Sequence, residues 1–103
     1  MKNYRQGDVY IFQVEKIDKE LETKKEVVLA EGETTGHKHV LVADKGTKIR
    51  MAQDEKGFYL DISGGTATIK HEEHAAIKLE PGLYFANIQQ EYDPIVYRRK
   101  VSD

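Results

Sequence analysis

Apolar positions in this chain alternate rather than recur at helical spacing. Val9-Tyr10-Ile11-Phe12-Gln13-Val14 opens the pattern. It is apolar on both alternating faces, which predicts a strand covered on both sides. Val27 to Glu31 predicts the next strand. From His37 to Ala43, one face carries His37, His39, Leu41 and Ala43 and the other Lys38, Val40 and Val42, because successive strand side chains point in opposite directions. Thr47 to Gln53 sets Ile49 and Met51 inward, and Phe58, Leu60 and Ile62 mark the inward face of the run that follows. Asp54-Glu55-Lys56-Gly57 between them predicts a hairpin loop. Ser63-Gly64-Gly65 breaks the pattern, and Thr66 to His71 resumes it with Ala67, Ile69 and His71 on one face. Ala75 to Leu79 and Leu83 to Gln89 flank the turn Glu80-Pro81-Gly82. One stretch departs from the alternation. Glu15 to Glu26 is densely charged, with Ile17 and Leu21 spaced for one helical face, and predicts a solvated excursion or a single short helix. About eight short strands at this spacing predict an all-β fold, a small barrel or a sandwich.

Composition narrows this reading. A chain of 103 residues is expected to form a single β domain, 1–103, with a modest core. Charged residues make up 33% and hydrophobic ones 39%, a globular profile rather than a disordered one. The formal net charge is −2, with a pI near 6.1, so no global positive field favours nucleic acid. The absence of cysteine excludes a disulfide framework, a thiolate zinc site and a thiol nucleophile. No apolar run approaches membrane-spanning length. A cytoplasmic location with no membrane partner is therefore the expectation.

The candidate chemistry lies in the histidines. All four come as two tight pairs, His37-Lys38-His39 and His71-Glu72-Glu73-His74. A single His-x-His arises readily by chance, but two pairs in so short a chain point to one shared site. His37, His39, His71 and His74 are the expected ligands of a divalent metal, with Zn, Fe, Mn or Ni suited to mixed imidazole and carboxylate donors. His71 and His74, with Glu72 or Glu73 as general base, would carry the catalysis, and an open coordination position would make the metal a Lewis acid. A metal-free form of the same idea uses two imidazoles as acid and base for phosphodiester cleavage, as in a histidine RNase.

Other polar residues extend this picture. Lys38 and Arg98 are candidates to hold an anionic ligand. Tyr92 and Asp93, in Gln89-Gln90-Glu91-Tyr92-Asp93-Pro94, are candidates for the rim of the same cavity, Asp93 as an acceptor that orients an imidazole. The basic run Arg98-Arg99-Lys100 reads first as a solvated stretch. The six tyrosines and three phenylalanines fit core and rim better than a base-stacking platform. No phosphate loop, serine elbow or kinase signature occurs.

Several of these stretches carry a resemblance. Gln6-Gly7-Asp8-Val9, Glu31-Gly32-Glu33-x-Thr35-Gly36-His37-x-His39, His71-Glu72-Glu73-His74-Ala75-x-Ile77, Pro81-Gly82-x-Tyr84 and Gln90-Glu91-Tyr92-Asp93-Pro94 together resemble a family of small uncharacterised proteins of bacteria and phages. That resemblance implies a coherent domain and no particular activity. Gly36, His37, His39 and Asp44 also resemble the first motif of the cupins, which implies a cupin-like roll and a metal site. Pro81-Gly82, however, has no histidine downstream of it.

The expectation for function is thus metal-assisted or histidine acid–base chemistry on a small molecule or phosphoester. The rival is a non-catalytic protein that sequesters a nucleotide or inhibits a partner, as phage inhibitors do. RNA or protein partners and a homodimer through exposed strand edges remain compatible with the sequence.

Overall fold

The computed structural model describes residues 2–31 and 38–88; the side chain of Glu31 is outside this description. It contains ten strands: β1 (Asn3–Gln6), β2 (Val9–Val14), β3 (Glu22–Lys24), β4 (Glu26–Glu31), β5 (Lys38–Ala43), β6 (Lys48–Asp54), β7 (Gly57–Ser63), β8 (Ala67–Lys70), β9 (Ile77–Leu79) and β10 (Gly82–Ile88). They form two antiparallel sheets, six strands in the order β1-β2-β10-β7-β6-β3 and four in the order β4-β5-β8-β9. The fold is all-β, as expected, and of the two expected forms it is a sandwich and not a closed barrel. Hairpins alternate between the sheets, β1-β2, then β4-β5, then β6-β7, then β8-β9, with β3 at the far edge of the first sheet before the chain crosses to β4. Finally β10 slots between β2 and β7.

The inward positions predicted by alternation make the core. Val9, Ile11, Leu41, Ile49, Leu60, Ile62, Ile69, Leu79 and Tyr84 are all fully buried, drawn from both sheets into one cluster. Each removes apolar surface from water at about 25 cal/mol per Å², and that burial is the main term holding the layers together. In β4 the register with β5 shifts between Val28 and Ala30. The bulge buries both Leu29 and Ala30 and sets Ala30 opposite His39.

Four expectations need correction. Among the described residues the strands number ten rather than about eight. Of the two readings of Glu15 to Glu26, the short helix is not formed and the solvated one holds: the stretch is exposed apart from half-buried Ile17 and Leu21, and its Glu22–Lys24 segment is an exposed edge strand on β6. The missing apolar stripe is the reason, since an edge strand needs only backbone partners on one side. The β2 strand is covered on one face only: Val9 and Ile11 are buried, while Tyr10 and Phe12 lie on the outer face, partly covered. Tyr59 and Phe85 continue that outer face across β7 and β10, with their rings 5.1 Å apart, so these aromatics belong neither to core nor to rim. Among the described residues, no helix is long and apolar enough to cross a membrane.

Candidate functional site

The β1-β2 hairpin turns on Gly7-Asp8, with Gln6 paired to Val9. Gly7 has φ +60°, a conformation glycine adopts without the steric cost a Cβ would bring. This tight turn carries Gln6, Gly7 and Asp8 over the end of the other sheet, where β5 brings His39 and the β8-β9 connection brings His71 and His74. The three imidazoles stand close. Ring centroids are 4.2 Å apart for His39 and His71, 4.6 Å for His71 and His74 and 5.8 Å for His39 and His74. His39 is buried, His71 half-buried and His74 exposed, so the pocket has a closed floor and an open side.

Gln6 organises the floor. The residue is 2% exposed. The amide Nε2 donates to the carbonyl of Ile69 at 3.0 Å and to that of Ala75 at 2.9 Å. Two carbonyl acceptors can only face an NH₂ group, which leaves the amide oxygen on the other side. That oxygen lies 2.8 Å from His39 Nδ1, so Nδ1–H is the donor. In the neutral ring, Nε2 then carries a lone pair. Burial holds the His39 pKa below its ordinary value, and repulsion from His71 and His74 adds to this, against the opposing pull of Asp8. The imidazole is therefore neutral near pH 7, with its basic nitrogen fixed by a neighbour.

The Cε1–Nε2 edge of His39 faces the turn. A Cβ built on Gly7 would lie 3.3 Å from His39 Cε1 and 2.8 Å from His74 Nε2, so glycine is needed there for space as well as for its φ. Asp8 Oδ1 lies 3.6 Å from His39 Nε2. His71 is oriented differently: its Nδ1 accepts from the Glu73 backbone N–H at 3.0 Å. Among the described residues, no three His, Asp or Glu side chains are gathered as a ready-made metal cage.

The candidates from the sequence fall in three groups. His39, His71 and His74 are brought together. Glu72 is drawn toward β5, where its Oε2 accepts from the Lys38 backbone N–H at 3.3 Å; Glu73 is exposed, and its N–H serves His71. His37, Tyr92, Asp93 and Arg98 lie outside the described residues. Asp44, the acidic residue of the cupin likeness, sits at the far end of β5. There it accepts from the Thr66 and Thr68 hydroxyls, five residues and roughly 16 Å of strand from His39. Gln6, Gly7 and Asp8 were not singled out as site residues by sequence reasoning. The available signal was a Gly-Asp turn preceded by an amide on an inward position.

A small β-sandwich with an imidazole pocket at one end is the class of protein this geometry defines. The chain belongs to an uncharacterised family: the model described as a domain of unknown function (DUF8820) matches residues 5–89, a span that includes Gln6, Gly7, Asp8, His39, His71 and His74. Neither curated proteins nor solved structures contain a significant match.

Proposed function

We propose that the protein binds a divalent metal on His39, with Asp8, His71 and His74 completing the donor set, and uses it on a small molecule. The observation that carries this reading is His39 Nε2 facing Asp8 Oδ1 at 3.6 Å while Gln6 engages the other ring nitrogen. Two acceptors at that distance repel unless a proton or a cation lies between them. A hydrogen bond would draw them to about 2.8 Å. Two ligands of a tetrahedral zinc ion, each about 2.1 Å from it, stand roughly 3.4 Å apart. The ring spacings support the same reading, because imidazoles on such an ion have centroids about 5 Å apart, within the observed 4.2 to 5.8 Å. Gln6 plays the part that an outer acceptor plays for a metal-bound histidine: it takes the other ring N–H and fixes the tautomer.

Metal entry requires the His71 ring to turn, since its Nδ1 is engaged by Glu73 N–H, and the half-exposed His71 and exposed His74 have room to do so. A divalent ion there would act as a Lewis acid with positions left for water or substrate. Zinc titration followed by elemental analysis tests the reading. One equivalent is expected in the parent chain, with loss of about 100-fold or more in affinity for His39→Ala. Absence of stoichiometric Zn, Fe, Mn or Ni binding overturns it.

A second reading is favoured by the tautomers. Gln6 leaves His39 Nε2 as an acceptor, while Glu73 N–H leaves His71 Nε2 as a donor in its neutral form. The pair then serves as base and acid without a metal. Turnover of a phosphoester or small-molecule substrate that survives chelation and is lost in His39→Ala would select this form. Ligand retention without turnover would favour a non-catalytic binder.

A further inference from the structure

The connection between β8 and β9 fastens onto its own first residue. His71 is half-buried, while residues 72–76 are exposed. His71 Nδ1 accepts from the backbone N–H of Glu73 at 3.0 Å, a local bond that folds the chain back on the ring. Further bonds tie the connection to its surroundings. Glu72 Oε2 accepts from the Lys38 backbone N–H at 3.3 Å, and the Ala75 carbonyl accepts from Gln6 Nε2 at 2.9 Å. His74 lies between these ties, its ring centroid 4.6 Å from that of His71.

The Glu73 bond and metal ligation exclude each other at His71. A neutral imidazole has one nitrogen with a free lone pair and one that carries a proton. A cation on Nδ1 takes the lone pair that Glu73 N–H uses. A cation on Nε2 moves the ring proton to Nδ1, which then meets Glu73 N–H donor to donor. Coordination through either nitrogen therefore breaks the bond. The ring spacing says which histidine moves. His39 is buried and held by Gln6. Its centroid is 4.2 Å from that of His71, closer than the roughly 5 Å of two imidazoles on one ion. His71 is the less buried of the two, so the displacement falls there.

From this we infer that the β8-β9 connection is a metal-operated latch. In the empty protein, Glu73 N–H holds the His71 ring and the bend is closed. When His71 ligates a divalent cation, that bond opens and residues 72–74 rearrange between the ties at Lys38 and Gln6. Occupancy of the pocket is thereby converted into a change of shape on the exposed surface. The latch rests on the metal reading above and adds its regulation: a bond of the empty state opposes ligation by His71.

Nuclear magnetic resonance on the isotope-labelled full chain, with and without zinc, tests the latch. Without metal, His71 is expected to show the tautomer protonated on Nε2. Zinc should abolish that pattern and speed solvent exchange of the Glu73 amide by up to about tenfold, the worth of one modest hydrogen bond. The sign is diagnostic, because simple stiffening by a bound ion would slow exchange. Glu73→Ala keeps the backbone N–H and should respond as the parent does; loss of the response would show that the carboxylate is the group involved and would overturn the latch. Zinc uptake with Glu73 exchange unchanged or slowed overturns the latch alone and leaves the metal on His39, Asp8 and His74. Absence of zinc uptake overturns the metal reading, and the latch with it.

Discussion

Strands β5 and β8 run side by side and end in two polar networks of opposite character. At one end Asp44 receives hydroxyls from Thr66 and Thr68, with Lys78 3.7 Å away. Every partner there satisfies a carboxylate that also meets solvent, and the network closes on itself. At the other end, Gln6 is fully engaged but His39 is left with a basic nitrogen facing a carboxylate. A closed network holds strands together. An open one, in which a basic nitrogen keeps accepting capacity beside an exposed carboxylate, is suited to a ligand that completes it. This contrast is what supports the site proposed at the imidazole end.

The largest expected effect comes from removing the organiser of the open end. Gln6→Ala strips the Ile69 and Ala75 carbonyls and His39 Nδ1–H of their partner. Unsatisfied buried groups make this a loss of roughly 2–4 kcal/mol, read as a lower urea midpoint at unchanged m-value. Asp44→Asn keeps an acceptor oxygen for the threonines and loses only the charge of a partly exposed carboxylate, so the midpoint should fall by less than in Gln6→Ala. Equal losses at the two ends would dissolve the distinction between them.

Each end also has a positive-φ glycine, which makes a matched pair. Gly46 follows Asp44 at φ +82°, with nothing within 4 Å of an added Cβ. Gly7 has φ +60° and the two histidine rings against it. Alanine at either position carries the left-handed backbone cost of about 1–2 kcal/mol. Only Gly7→Ala should go further, displacing the His39 and His74 side-chain resonances and weakening zinc binding. Gly46→Ala should leave both untouched.

Acid titration separates the ends by pH window. His39 has a folded-state pKa below its ordinary 6.5. The folded protein therefore binds this proton less readily than the unfolded chain. The stability tied to neutral His39 is complete above pH 6.5 and is lost as pH falls from there through the lowered folded value. The slope is at most about 1.4 kcal/mol per pH unit for one proton. The Thr66 hydroxyl, supported by Thr68 and Lys78, holds the Asp44 pKa below its ordinary 3.8 against partial burial. Its contribution is complete above pH 3.8 and is lost only below that. Urea melts of metal-free protein should thus show a stability decline beginning near pH 6.5 that is absent in His39→Gln. A decline that persists unchanged in that variant would assign the titration elsewhere.

These differences also explain what the sequence disclosed. The inward faces of β5, β6 and β7 were legible because Leu41, Ile49 and Leu60 alternate with polar neighbours, and alternation is a local property. The β1 and β3 strands were not legible: β1 places Gln6 on an inward position, which breaks the pattern, and β3 is all exposed. His39 was legible as a candidate because its own strand sets its direction. Gln6 was not, because its role rests on partners 33, 63 and 69 residues away along the chain, and only the packing of two sheets brings these together.

The smallest expected effect sharpens the comparison from the closed side. Thr68 is nearly buried, and its hydroxyl donates to Asp44 at 3.0 Å. Thr68→Val keeps the shape and removes one donor. The Asp44 carboxylate then retains Thr66 and reaches water for the rest, so no group is stranded. The cost should be no more than about 1 kcal/mol, seen as a slight fall in urea midpoint, with zinc affinity unchanged. A loss as large as that of Gln6→Ala would mean that this network too depends on a buried unsatisfied group, and that openness is not what sets the imidazole end apart.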